Sequence, residues 1–208
     1  MAAPQDVTLK QLDGKWTLNK KLSGSTDPLL SLQGVNWVIR KAIGVTTITL
    51  DVSSYVQDDV LRIDIEQTSS SGMSGTTEKR VLDWSPQPQE DHIFGKCTVR
   101  TRLVEGIQQD GKTIPALEQQ TPVSNEKVAS FLKGLSLADG PSDGYLAGEE
   151  DIFVHFFVRH LEKDWTAEQI WGFEMIDDDR HWVRRVVVAN VEGDFHEARL
   201  VYDFLGKK

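Results

Sequence analysis

The sequence predicts a mainly β protein, a single closed antiparallel barrel of about 8–10 strands spanning residues 1–208. Three observations predict it. Runs of apolar and polar residues alternate with a period of two along most of the chain. Those runs are joined mainly by short turns, without the crossover helices that a parallel sheet needs. One segment after the first strand switches to helical period, as a short lid across an open barrel end would.

The first strand is expected over Lys15–Leu22, between Asp13-Gly14 and Ser23-Gly24. Asp27 then caps a helical segment with Pro28 at its first position, and Leu29, Leu32, Val35, Val38 and Ile39 recur at helical spacing. This is the lid, about residues 27–43, with Gly34 breaking it into two short helices. Strand period returns at Val45, with Ile48, Leu50 and Val52 on one face, and continues with Leu61, Ile63 and Ile65 opposing Arg62, Asp64 and Glu66. A glycine-rich turn from Ser69 to Gly75, including Gly72, leads to a strand over Thr76–Trp84. Ser85-Pro86-Gln87-Pro88 reads as a link to a long strand from His92 to Val104. Residues 105–149, rich in Gly, Pro, Gln, Ser and Asp, read as an insertion on the barrel rim with one helix over Ser124–Leu135. Four strands close the chain at Ile152–Leu161, Gln169–Ile176, Trp182–Val191 and Glu197–Phe204, with Asp177-Asp178-Asp179-Arg180 as the tightest turn.

Composition narrows the function. A net charge of -9 repels phosphate backbones, so nucleic acid is not expected as a partner. The opening Met1–Asp6 carries neither a charged nor an apolar leader region, and no apolar run approaches the ~18 residues of a membrane span, which predicts a cytoplasmic protein without membrane insertion. Cys97 is the only cysteine and lies in a strand-like run, so a buried thiol is expected rather than a nucleophile. Gly72 and Gly75 lack the lysine of a phosphate-binding loop. The five histidines are scattered without metal-ligand spacing, and there is no Gly-x-Ser-x-Gly elbow or dinucleotide fingerprint; neither a metal nor a cofactor is expected.

Gly14-Lys15-Trp16-Thr17-Leu18, followed by Leu30–Ala42, resembles the opening of the intracellular fatty-acid- and retinoid-binding proteins, where a Gly-x-Trp strand leads into a helix-turn-helix lid. The wider chain, with Gly75–Arg80, Leu82-Asp83-Trp84, Asp91–Gly95, Trp171–Glu174 and Arg199–Asp203, is similar to a group of fungal lipocalin-like proteins. The resemblance implies a calycin-type barrel around a hydrophobic cavity. The fatty-acid binders close with an Arg-x-Tyr pair on the inner face. Here Arg199 and Tyr202 are three apart, so a regular strand sends them to opposite faces unless a bulge shifts the register.

Six tryptophans invite a ligand-stacking reading beside the core reading. Trp16 suits the barrel base, whereas Trp37, Trp84 and Trp171 are candidates to line a cavity with Arg40, Phe94, Phe157 and Tyr202. Of Arg184 and Arg185, adjacent in an apolar strand, one should face inward and need a partner. Glu174 on the preceding strand is the candidate for Arg184, either as a structural salt bridge or as a site for a carbonyl or carboxylate. His155, among Phe153, Val154, Phe156 and Phe157, is a core histidine or a base in a dry site. The leading expectation is a carrier that binds a small hydrophobic molecule in the cavity. The alternative is a cofactor-independent isomerase or cyclase, a pericyclase of fungal specialised metabolism acting on a polyketide or terpenoid, with Glu174, His155 and Arg184 as its polar groups.

Overall fold

A computed structural model describes residues 1–70, 75–148 and 151–207. The elements run β1 (Gly14–Leu18), α1 (Asp27–Leu32), α2 (Trp37–Val45), β2 (Ile48–Gln57), β3 (Val60–Ser69), β4 (Thr76–Val81), β5 (Gln87–Asp91), β6 (Gly95–Gln109) and β7 (Lys112–Pro115). They continue with α3 (Glu126–Leu132), β8 (Ser136–Leu137), β9 (Gly140–Pro141), β10 (Ile152–His160), β11 (Trp165–Ile176), β12 (Asp179–Asn190) and β13 (Phe195–Gly206). The main antiparallel sheet follows the order β4-β3-β2-β1-β13-β12-β11-β10-β6-β5, with β7 added to β6. Its ends curl together. Asp83 bridges Arg102, the Trp84 N–H reaches the Thr101 carbonyl at 2.9 Å, and Arg80 Nη1 donates to Gln89 Oε1 at 2.7 Å across the seam between β4 and β5.

Local chemistry explains the turns. Asp177 and Asp178 take φ of 52° and 65° between the paired residues Ile176 and Asp179, which is the two-residue hairpin whose twist suits antiparallel strands. Asp58-Asp59 and Asp110-Gly111 do the same. In the lid, Asn36 caps α2 by accepting from the Val38 N–H at 2.8 Å, and Gly34, at φ 73°, ends α1 in a left-handed turn.

Several expected boundaries move. β1 ends at Leu18 rather than Leu22, because Asn19 Oδ1 accepts the N–H groups of Lys21 and Leu22 and turns the chain. The segment expected as a link contains β5, and His92–Phe94 form a turn, with Asp91 Oδ1 accepting from the N–H groups of Ile93 and Phe94. β6 runs on to Gln109 and pairs with β7. α3 is shorter than expected and is capped by Asn125, whose Oδ1 accepts from the Lys127 N–H. The turn expected at Ser69–Gly75 has Gly72 outside the described residues.

The insertion differs most from expectation. It lies along the outer wall of β10–β13 rather than on the rim. Val104, Phe153, Ile170, Val183, Val187, Ala189 and Val201 alternate with the barrel-facing residues and pack against Val123, Val128, Phe131, Leu132 and Tyr145. These strands are apolar on both faces, and a two-sided apolar sheet needs cover. Tyr145 is wedged into that cover: a Cβ on Gly172 would meet its ring at 2.5 Å, and its hydroxyl donates to the Leu132 carbonyl at 3.0 Å.

The contact surface also holds polar clamps. Glu168, fully buried, accepts from Gln120 N at 2.9 Å and Thr121 N at 2.7 Å, and from His155 Nε2 at 2.8 Å. Arg102 Nε donates to His155 Nδ1 at 3.3 Å, which assigns the remaining ring proton to Nε2 and hence to Glu168. Glu168→Ala strips all three donors of their acceptor, and is expected to cost about 3–5 kcal/mol in urea unfolding. Amide exchange should accelerate around Gln120 and Thr121 well before it does in β11; a loss under about 1 kcal/mol would show that the clamp is dispensable.

Candidate functional site

The barrel interior is divided across its length. Trp16, Trp171 and Trp182 are fully buried and interlock edge to face with Phe204, at centroid distances of 5.2 Å for Trp16–Trp182, 5.7 Å for Trp171–Trp182 and 4.8 Å for Trp16–Phe204. Their size fills one half and forms an aromatic floor. Above it a cavity of about 480 Å³ extends to the lid, a volume that suits one small organic ligand. Leu29, Leu30, Ile39 and Ile43 of the lid form its roof; Phe156, Val158, Ala167, Val186, Val188 and Leu200 form its walls. Phe94 and Cys97 line it as well, and burial pushes the Cys97 thiol up to about 11, which keeps it protonated at neutral pH.

Glutamines and threonines such as Gln33, Gln67, Gln169 and Thr46 also line the chamber, and its charged groups gather at one place. Glu78 and Arg80 of β4, Arg184 of β12 and Tyr202 of β13 all line the cavity. Arg80 Nη2 lies 2.8 Å from Glu78 Oε2, and its guanidinium stacks on Phe156 at 4.2 Å. Arg184 Nη1 lies 3.7 Å from the same carboxylate oxygen. The Arg184 guanidinium rests on the floor, 4.2 Å from the Trp171 ring centroid, 4.5 Å from Trp182 and 5.3 Å from Tyr202. Its Nε and Nη2 are buried without a hydrogen-bond partner among the described residues. Burial pushes the Glu78 carboxyl up, but Arg80 and Arg184 outweigh it and hold it below the usual carboxylate range. Burial raises the Tyr202 hydroxyl, against the pull of Arg184.

The residues singled out from sequence divide between the two faces of the wall. Arg184 faces inward and Arg185 outward, and the inward arginine is paired with Glu78 rather than Glu174. The reason is register: Arg184 stands opposite Trp171, and Glu174 opposite His181. Glu174 belongs to the outer face. It accepts from Arg185 Nε at 2.7 Å and Arg199 Nη1 at 3.0 Å, while Arg185 also donates to Ser142 Oγ at 2.6 Å and to the Phe131 and Ser136 carbonyls. The pair is a salt bridge that seats the insertion. His155 is also on that face, with Glu168 as its partner. Neither Glu174 nor His155 lines the cavity: His155 alternates with Phe156, which does, and Glu174 with Phe173, which packs in the inner core.

Among the proposed ligand contacts, Phe94, Arg184 and Tyr202 line the cavity. Trp171 lies beneath it as the floor under Arg184. Trp84 stands on the outer wall, its ring 4.8 Å from His155 and 4.2 Å from the Arg102 guanidinium. Phe157 falls on the outer face by strand alternation between the inward Phe156 and Val158. Trp37 is 61 % exposed on α2, and Arg40 binds Asp27 at 3.3 Å to tie α2 to α1. Arg199 and Tyr202 do point to opposite faces, Arg199 to Glu174 and Tyr202 to the cavity. Glu78 and Arg80 were not singled out, because Thr76–Val81 shows no apolar stripe that would mark an inward face.

A curled ten-strand path with a helical pair across one end is the fold of the fatty-acid-binding proteins. The structure superposes on fatty-acid-binding protein 1 of Echinococcus granulosus with a TM-score of 0.54 at 11 % identity, covering 93 % of this chain and 97 % of that one. The N57Q mutant of the fluorescent protein UnaG gives a TM-score of 0.52 at 14 % identity, over 95 % of this chain and 99 % of that chain. In sequence, the chain is similar to the pericyclase pydY of an Acremonium species, 28 % identical over all of this chain and 99 % of the relative. It is also 27 % identical to the probable pericyclase scpY of Mollisia scopiformis, over 99 % of this chain and 95 % of that protein. No family model matches the chain.

The depressed Glu78 carboxyl has a pH consequence. A group whose folded pKa lies below its unfolded one stabilises the fold above the unfolded value, and the benefit is lost as pH falls through the folded value. The stability gap between the protein and Glu78→Gln should therefore be constant near neutrality and close as the solution is acidified below the ordinary carboxyl value of 4.5. A gap independent of pH would show that Glu78 is not held ionised by the two arginines.

Proposed function

We propose that the chamber between aromatic floor and helical lid binds one small, largely apolar molecule with a polar end. The observation that carries this reading is the 480 Å³ cavity itself, with aliphatic and aromatic side chains on its walls and roof and a charged cluster at Arg184, Arg80 and Glu78. An apolar body is rewarded for leaving water, and a single polar end fixes which way it lies. The test is binding of farnesol, and of β-farnesene as a similar chain without the polar end, read by native mass spectrometry. One molecule per chain is expected, and Ala167→Phe, which fills the chamber from β11, should weaken binding by at least tenfold. Equal binding by this variant would place the ligand elsewhere.

A second reading, favoured by the two pericyclase relatives that align along nearly the whole chain, is that enclosure is catalytic. A pericyclic step turns the π electrons of a substrate into new σ bonds within one molecule, so substrate and product are isomers and no proton must leave. What a protein contributes to such a step is a wall that holds the reacting ends close together and donors aimed at oxygens that gain charge. The chamber supplies rigid walls, and Arg184 supplies donors. In the producing organism, deletion of the gene should cause an uncyclised polyene to accumulate, and the purified protein should convert that compound to an isomer of the same mass. An unchanged metabolite profile would overturn the catalytic reading and leave binding alone.

A further inference from the structure

We infer that Arg184 is a catalytic residue of the chamber whose free guanidinium edge hydrogen-bonds the carbonyl oxygen of a substrate in which that carbonyl is conjugated with reacting double bonds. The inference rests on the reading of the chamber as the ligand site and, for the reaction, on its catalytic reading. Arg184 is only 5 % exposed, yet its Nε and Nη2 have no hydrogen-bond partner among the described residues. A buried donor left unmade costs free energy, and a guanidinium cannot escape the cost by losing its proton. Those two nitrogens lie along one edge of the planar group, so their hydrogens converge on a single acceptor. The edge belongs to a side chain that lines the cavity.

The surroundings decide which acceptor fits. Glu78 faces the Nη1 side at 3.7 Å and is held ionised by Arg80 and Arg184. A ligand carboxylate at the open edge would bring a second full negative charge close to Glu78. A neutral carbonyl oxygen brings none, and accepts both hydrogens. The tryptophan faces beneath Arg184 keep water from its under-side and fix its plane, so the donors are in place before the substrate arrives. A cation donating to a conjugated carbonyl draws electron density out of the attached alkene and makes that alkene more reactive toward an electron-rich diene. The proton stays on Arg184 throughout, and the only bonds made or broken are the carbon–carbon bonds of the substrate.

Carbonyl-labelled [13C]pseudoionone, a conjugated dienone, reports this contact directly. On binding to the protein its carbonyl carbon should move downfield in the NMR spectrum, as it does when the oxygen accepts a hydrogen bond from a cation. Arg184→Met keeps the packing of the stem and leaves Glu78 its partner Arg80; the shift should vanish while the circular dichroism spectrum and cooperative thermal unfolding show the fold retained. Arg184→Lys, the second variant if the first does not fold, should give a smaller shift. Pseudoionone bound without the shift, or with a shift that survives in either variant unchanged, overturns the inference and leaves the binding reading intact. Farnesoic acid bound more than tenfold tighter than pseudoionone, in an Arg184-dependent manner, also overturns it, by making Arg184 a carboxylate anchor. If neither farnesene nor pseudoionone binds, the chamber reading itself fails and takes the inference with it.

Discussion

Four large rings, Trp16, Trp171, Trp182 and Phe204, meet at the middle of the barrel, and the use of the remaining interior depends on that meeting. Aromatic side chains bury large areas per residue, and these four join Leu12, Val52, Ile63 and Ile65 in one buried cluster that closes the lower half. They also carry electron-rich faces. A guanidinium can be buried on such faces at a cost that an aliphatic floor would not offset, and Arg184 lies on two of them. The floor thus fixes both the volume left open and the place of the Arg184 edge, which has no partner among the described residues.

The wall formed by β10–β13 solves a different problem with the same strands. Its inner residues belong to the chamber and its outer residues to the covered face, where Glu168 with His155 and Glu174 with Arg185 and Arg199 seat the insertion. The charges of these two clusters have counter-charges or backbone donors, which is the condition under which buried charges are tolerated. Adjacent residues therefore serve opposite ends: Arg184 is left with donors to spare, whereas Arg185 spends its donors on Glu174, Ser142 and two carbonyls.

Much of this was legible in the sequence. The lid, its glycine break, the half-buried strands β2 and β3 and the aspartate hairpin all follow from local periodicity and turn chemistry, and the structure has them. The opposite orientation of Arg199 and Tyr202 follows from the period of two alone. What sequence could not supply was register. Choosing between Arg184 and Arg185 as the partner of Glu174 needs the pairing of β11 with β12 to a single residue, and only the Asp177-Asp178 turn sets it. The unbroken run Val186-Val187-Val188-Ala189 did carry the signal that the wall is covered on both sides, and so that the insertion lies against it. Glu78 and Arg80 gave no signal, since a strand with polar residues on both faces hides which face is inner.

The distribution of cover around the barrel is uneven. β10–β13 are sandwiched between chamber and insertion, whereas β4 and β5 meet at a seam held by Arg80 and Gln89, with the Asp83–Arg102 bridge beside it. Persistence of the fold is thus concentrated on one side and the lining of the chamber is contributed by both. Such a division lets the interior change shape independently of the fold: substitutions in the lid or at the seam can remodel the chamber while the sandwiched half continues to hold the architecture together.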